Sequence, residues 1–325
     1  METFVGKKVL VTGGAGSIGQ VIVSRLLLEE CAQVRVLDLN ETGLFELESS
    51  LASDRVRMFI GDIRDKDRLS RAMEGVDMVF HAAALKHVPL CEYNPFEAAK
   101  TNVLGTQNAI DCALERGVDR FIMISTDKAV NPTNVMGATK LLAERLTLAG
   151  NLYRGKSRCK FSVVRFGNVL NSRGSLLTTL QRQIENGESV TLTHPEMTRF
   201  IMSIDEAVGL VLSAGAMSEG GETFILKMDA VRILDLIRVI SEALGEKYGK
   251  RVDIQTIGIR PGEKLFEELL TEEESDQVED IGAMYRLRMG TVAHKENGKP
   301  YRSNECRLLG DDEIRNKLRS IGYLE

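Results

Sequence analysis

The sequence predicts an α/β chain: a doubly wound parallel sheet covered by helices on both faces, joined to a smaller, mixed α/β lobe. Two observations carry this prediction. Short β-branched runs alternate with amphipathic stretches through the first 165 residues, which is the pattern of strands linked by crossover helices. Several of those runs are continuously apolar rather than alternating, as a sheet buried on both faces requires.

In chain order, the strand-like runs are Lys8–Val11, Val34–Leu37, Val56–Ile60, Met78–Phe80, Phe121–Ile124 and Phe161–Val164. Ser17–Glu29 reads as a helix, because Ile18, Val21, Ile22 and Leu26 recur at helical spacing with one interruption at Arg25. Beyond about residue 170 the pattern loosens. Leu176–Asn186, Ile204–Met217 and Ile233–Leu244 read as helices, and Phe224–Met228 and Val252–Ile259 as strands. Asp311–Ile321 reads as a final helix, with Asp311 or Asp312 as N-cap. The expected division is a domain of residues 1–170 with about 200–230, and a lobe of about 171–199 with 231–325.

The 325 residues are 43% hydrophobic and 27% charged, ordinary for a globular protein, with a net charge of −5. A mildly acidic chain argues against general nucleic-acid binding. Residues 271–280 hold six acids and no base, so the rest of the chain, with 42 bases against 41 acids, is nearly neutral. That run is expected to be a solvated, mobile loop. No stretch approaches the ~18 apolar residues of a membrane span, and the N-terminus lacks an apolar signal region. The expectation is a cytoplasmic chain without a membrane segment. Cys31, Cys91, Cys112, Cys159 and Cys306 are scattered without CxxC spacing, so reduced thiols are expected rather than disulfides or zinc. His194 and His294 have no case as ligands, and no metal is expected.

Val9 to Gly19 reads as strand, glycine-rich turn and helix start. Gly13 permits the tight turn, Gly16 lets backbone approach a pyrophosphate over Ser17 and Ile18, and Gly19 allows close helix–strand packing. Asp38 stands at the end of the second strand, where a carboxylate receives the adenosine ribose and repels a 2′-phosphate. The cofactor expected of this Rossmann-type unit is therefore NAD rather than NADP.

The GxxGxxG spacing resembles the extended branch of the short-chain dehydrogenase/reductase superfamily. That resemblance implies Asp62 and Ile63 near the adenine, Ala82, Ala83 and Ala84 along the cofactor, and Asn102 on the following helix. It also implies a Tyr-x-x-x-Lys pair whose lysine holds the nicotinamide ribose. Here Lys140 is present but the tyrosine position is Met136. A thioether has no proton to give. Either the chain binds nucleotides without chemistry, or other groups carry the protons.

Five segments, 83–89, 125–140, 163–175, 197–202 and 258–269, closely resemble the UDP-N-acetylglucosamine 4,6-dehydratase family. The resemblance spans about residues 7 to 270. It implies oxidation at sugar C4, loss of water across C5 and C6, and return of hydride to C6, with NAD recycled. It implies Asp127 as the acid for the departing hydroxyl, its pKa raised, and Lys128 as the base at C5, its pKa lowered. Thr126, through a water, or Lys140 would take the O4 proton. Met136 points to retention at C5, while the short chain is that of the inverting branch, and inversion stays open.

Arginine forks suit a diphosphate. The candidates inside these segments are Arg173, Arg199 and Arg260, with Asn168 as a neutral donor and Glu263 for the uridine ribose. Lys86 and His87 would reach the mouth of the site, although His87 could equally be structural. A nucleotide-sugar 4-epimerase and a non-catalytic nucleotide-sugar sensor are the alternatives. Relatives pair through helices corresponding to about Pro95–Glu115 and Gly137–Leu148, which implies a homodimer at least.

Overall fold

The computed structural model describes residues 2–288 and 299–325. Its centre is a nine-stranded sheet. The strands are β1 (Lys8–Thr12), β2 (Gln33–Asp38), β3 (Val56–Ile60), β4 (Met78–His81), β5 (Arg120–Ile124), β6 (Lys160–Arg165), β7 (Glu222–Leu226), β8 (Val278–Asp280) and β9 (Met284–Arg288). Their order is β8-β9-β7-β6-β5-β4-β1-β2-β3. The first seven run parallel, whereas β9 and β8 close one edge antiparallel. Residues 278–288, assigned to the smaller lobe from sequence, are thus hydrogen-bonded into the main sheet.

Successive residues of β1 enter different cores. Val9 and Val11 pack with Ile22, Leu26 and Phe80, while Leu10 packs with Val79, Ile110 and Phe121. This is the double coverage that the unbroken apolar runs require. β1 pairs with β2 on one side and β4 on the other. The chain therefore reverses its winding at β1, and a crevice opens beyond the carboxyl ends of these strands. The helix Ser17–Leu28 leaves that crevice, and Arg25, the break in its apolar face, pairs with Asp205 at 3.2 Å.

A separate core of Leu177, Leu180, Ile184, Val190, Leu236, Ile240, Ile314 and Leu318 lies among the helices Leu176–Asn186, Ile233–Tyr248 and Asp311–Ser320. The strand expected over Val252–Ile259 is shorter, Ile254–Thr256, paired with Val190–Leu192. The last helix is capped by Gly310, whose N–H donates to Glu313 at 2.9 Å, rather than by Asp311 or Asp312.

The acidic run is not a solvated loop. Thr271 caps a short helix, Glu272–Ser275, in a reciprocal box with Glu274, and Val278–Asp280 is β8. Glu274 also reaches the buried Arg165 of β6. That guanidinium donates to Glu144 at 2.7 Å, to Glu274 at 2.8 Å and to the Leu269 carbonyl at 3.0 Å. Burial works against its charge, but the two carboxylates outweigh burial and hold it protonated. A count of charges cannot show that Glu274 pairs with a buried guanidinium, or that Glu279 and Asp280 pair with Arg286 and Lys227.

Removing one partner of a buried ion group leaves the other charge uncompensated, at a cost of about 3–5 kcal/mol. Glu144→Ala should therefore lower stability by about that amount, measured by urea unfolding. A loss below about 1 kcal/mol, the scale of an exposed pair, would contradict this role for Arg165.

Candidate active site

The crevice is a cleft of about 1110 Å³. On one side lies the glycine turn. Gly13 has φ +68°, and a Cβ there would stand 2.6 Å from the Ala83 nitrogen. Only glycine lets β1 and β4 approach at this point. The helix Ser17–Leu28 starts after Gly16 without a side-chain cap, so its first N–H groups remain open to the cleft. Asp38 Oδ2 accepts from the Ala15 N–H and Oδ1 from the Asn40 N–H, both at 2.9 Å. The acid thus fixes the turn.

Gly13, Gly16, Ser17, Ile18, Gly19, Asp38, Asp62, Ile63, Ala82, Ala83, Ala84 and Lys140 all line this cleft. Asn102 lies behind the wall, with its amide spanning the Leu85 N–H and carbonyl at 2.8 and 3.0 Å. There it positions the backbone beyond β4. His81 is buried between Thr12 and Thr106. Burial, then Lys140, push its pKa down to about 3, so it serves as a neutral strut.

The reacting end is built by β5 and the helix Val135–Tyr153. Thr126 caps the turn Asp127–Ala129. A Cβ on Gly137 would collide with the Lys128 carbonyl, so glycine lets this helix close on the turn. Met136 is 4% exposed, packs with Cys91 and Ala98, and still meets the cleft. Lys140 Nζ donates to the Ile124 carbonyl at 2.6 Å. Burial, partly offset by Glu144, pulls its pKa down to about 8.

Thr126 Oγ1 donates to Asp127 Oδ1 at 2.7 Å, and Lys128 Nζ donates to the same oxygen at 3.0 Å. Thr126 and Lys128 line the cleft, whereas Asp127 is fully buried behind them and its Oδ2 has no hydrogen-bond partner. Lys128 Nζ is also 3.4 Å from Glu267. Burial alone lowers a lysine pKa, but Asp127 and Glu267 overcome it. The pKa of Lys128 is raised, opposite to the shift expected from sequence, because two acids face it instead of one.

The nucleotide-sugar candidates sit around the rest of the cleft. Lys86, His87, Asn168, Arg173, Arg199, Arg260 and Glu263 line it. Arg173 is turned toward the glycine turn: its N–H donates to Ser17 Oγ at 3.0 Å and its guanidinium to the Ala15 carbonyl at 3.2 Å. Lys86 Nζ donates to the Arg173 carbonyl at 2.7 Å. Arg199 spends its donors internally, on the carbonyls of Thr198 at 2.8 Å and Lys264 at 2.9 Å, and lies 3.4 Å from Glu267. Asn168 donates to the Phe200 carbonyl at 3.2 Å, and the His87 ring lies close against Gly174. Arg260 is exposed, and its N–H donates to Glu263 at 3.2 Å. His194 Nδ1 accepts the Glu196 N–H at 3.1 Å, and His194 is not among the residues that line the cleft. His294 lies outside the described residues.

Sequence reasoning missed Glu267 and Lys264. The signal available was an acid pair, Glu267-Glu268, inside the apolar run Leu265–Leu270. Lys264 Nζ donates to the Val130 carbonyl at 2.6 Å.

The chain belongs to the polysaccharide biosynthesis protein family, whose model matches residues 9–289. Its fold is that of the extended short-chain dehydrogenase/reductase enzymes. It is 60% identical to an uncharacterized membrane protein of Methanocaldococcus jannaschii, over 98% of this chain and 97% of the relative. It is 36% identical to a UDP-glucose 4-epimerase of Rickettsia canadensis, over 99% and 98%. Among solved structures, Pen from Bacillus thuringiensis matches with a TM-score of 0.94 and 41% identity, covering 98% of both chains. DesIV, a dTDP-glucose 4,6-dehydratase from Streptomyces venezuelae with NAD bound, matches with a TM-score of 0.71 and 25% identity, over 79% of this chain and 86% of that one. Among the described residues no helix is long and apolar enough to cross a membrane.

Lys140 supplies a pH test. Folded, it gives up its proton near 8; unfolded, near ~10.4. Between these values the unfolded chain binds more protons, so stability should rise with pH across that window. Lys140→Met should lack this rise in urea titrations of the ligand-free protein. Equal slopes for variant and parent would contradict the assignment.

Proposed function

We propose that this chain is an NAD-dependent UDP-N-acetylglucosamine 4,6-dehydratase that forms a UDP-4-keto-6-deoxy-N-acetylhexosamine with retention at C5. The observation that carries this reading is the Thr126–Asp127–Lys128 cluster, at the strand ends, beside a methionine that cannot exchange protons. NAD fits the cleft. The open helix N-terminus suits its pyrophosphate, Asp38 its adenosine ribose and Lys140 its nicotinamide ribose. Bound there, NAD would supply the acceptor for a hydride from sugar C4 and its donor at C6.

The chain's own groups handle the protons. Thr126 Oγ1 takes the O4 proton while passing its own to Asp127 Oδ1, 2.7 Å away. Asp127 then holds that proton as a carboxylic acid. Lys128, as the amine, removes the C5 proton made acidic by the adjacent ketone. Asp127 releases its proton through Thr126 to the departing 6-hydroxyl, which leaves as water. Lys128 returns its proton to C5. One base on one face restores the original configuration, and Met136 offers no donor from elsewhere on the ring. The proton taken from O4 leaves in the water, so Asp127 ends as it began.

Arg260 and Arg173 serve the diphosphate, Glu263 the uridine ribose, and Lys86 and His87 the mouth of the site. Residues 1–170 with about 200–230, joined in the sheet by 278–288, hold the cofactor, and 171–199 with 231–277 and 299–325 the nucleotide sugar. The helices over 95–115 and 137–148 expose Phe96, Leu104 and Leu142, which suits pairing with a second copy. The epimerase-named relatives favour a second reading, 4-epimerization. Against it stand Met136, where the superfamily resemblance implies a tyrosine for an epimerase, and the Thr126–Asp127–Lys128 run, which supplies an acid that an epimerase would not need.

Incubation with UDP-N-acetylglucosamine should give a product lighter by one water in the mass spectrum. An isomer of unchanged mass, or no product, would overturn the reading. Asp127→Asn and Lys128→Ala should each lower turnover by the ~10²–10⁴ of a general acid or base, with UDP-sugar affinity near that of the parent. Near-parental turnover would remove these roles.

A further inference from the structure

Lys128 does not face Asp127 alone. Glu267 is 3% exposed, and its Oε1 lies 3.4 Å from Lys128 Nζ and 3.4 Å from Arg199 Nε. Its Oε2 is buried with no hydrogen-bond partner. The position is held firmly. The Glu267 N–H donates to Ser303 Oγ at 3.0 Å, the Ser303 N–H donates to the Glu267 carbonyl at 2.9 Å, and Ser303 Oγ shares a 2.8 Å hydrogen bond with Thr198 Oγ1. Two residues further on, Arg165 grips the Leu269 carbonyl.

Neutralising Arg199 does not account for this burial. Glu263 already lies 3.6 Å from that guanidinium, and Glu263 is the better hydrated acid. Glu267 instead meets Lys128 Nζ, which also donates to Asp127. An amine between two buried carboxylates rests as an ammonium, yet the base at C5 must be neutral. Something buried has to take that proton.

We propose that Glu267 is a positioning residue that exchanges a proton with Lys128, an inference that rests on the dehydratase reading above. An N–H bond at Lys128 Nζ breaks and an O–H bond at Glu267 Oε1 forms. The ion pair becomes a neutral amine beside a carboxylic acid, with no change in oxidation state. Lys128 can then take the C5 proton, and Glu267 returns its own once C5 has been reprotonated. Burial first, then the charge of Asp127, raise the proton affinity of Glu267, against Lys128, Arg199 and Lys264, while Asp127 and Glu267 raise that of Lys128, so the ammonium is the resting form from which the exchange starts.

The test is single turnover with UDP-N-acetylglucosamine, following reduced nicotinamide by absorbance and water loss by mass. Wild type losing no water would overturn the dehydratase reading, and this inference with it. With wild type active, Glu267→Gln should reduce the cofactor at the wild-type rate but lose water ~10²-fold more slowly, so that reduced cofactor accumulates. KM should be unchanged, and Glu267→Asp should recover part of the loss. In a Lys128→Ala background, Glu267→Gln should add no further loss. Wild-type water loss, equal slowing of both steps, or additive losses would overturn the proposal. If the glutamine variant does not fold, Glu267→Asp decides: selective slowing of water loss supports the exchange, and wild-type behaviour overturns it.

Discussion

A guanidinium buried between two carboxylates holds the site together. Arg165 sits at the end of β6 and is 2% exposed. Glu144 comes from the helix that carries Met136 and Lys140, one turn beyond the lysine, and Glu274 from the segment that returns across the sheet. Such a charge is tolerated only where every donor finds an acceptor. Satisfying it draws the helix, the sheet and residues 267–274 together. The same contact brings Glu267 to Lys128 and sets Glu144 near the ammonium of Lys140.

The remaining geometry follows from close approaches made at glycine. Gly13 lets the first turn touch the strand beside it, and Gly137 lets the helix Val135–Tyr153 touch the Lys128 backbone. Between these points the cleft runs from Asp38 to Glu263 in one continuous wall. The glycine turn and the Arg260–Glu263 segment are thus parts of a single crevice, at the carboxyl ends of the strands of an open α/β sheet.

Much of this is legible in the sequence, because period and spacing are local. The six parallel strands of the first half, the glycine turn and Asp38 all follow from residues within a few positions of one another. The cleft also gathers nearly all the candidate binding residues. What is not legible depends on long-range pairing. Arg165 and Glu274 are 109 residues apart, and Glu267 and Ser303 are 36 apart. No periodicity links them. The acidic run therefore reads as a solvated loop, Glu267 as one acid among many, and Lys128 as a lysine with one neighbour. Arg199 likewise reads as a free cation, although its donors are taken by carbonyls within its own lobe.

The central claim is that a hydroxyl hydrogen-bonded to a buried acid replaces the missing tyrosine. Thr126 lines the cleft, and its hydroxyl donates a hydrogen bond to Asp127, which is fully buried. Thr126→Val keeps the shape and removes the relay. Mixed with UDP-N-acetylglucosamine and NAD in a single turnover, this variant should fail to form reduced nicotinamide while the parent forms it. Formation at the parental rate would show that another group takes the O4 proton, and would contradict the account.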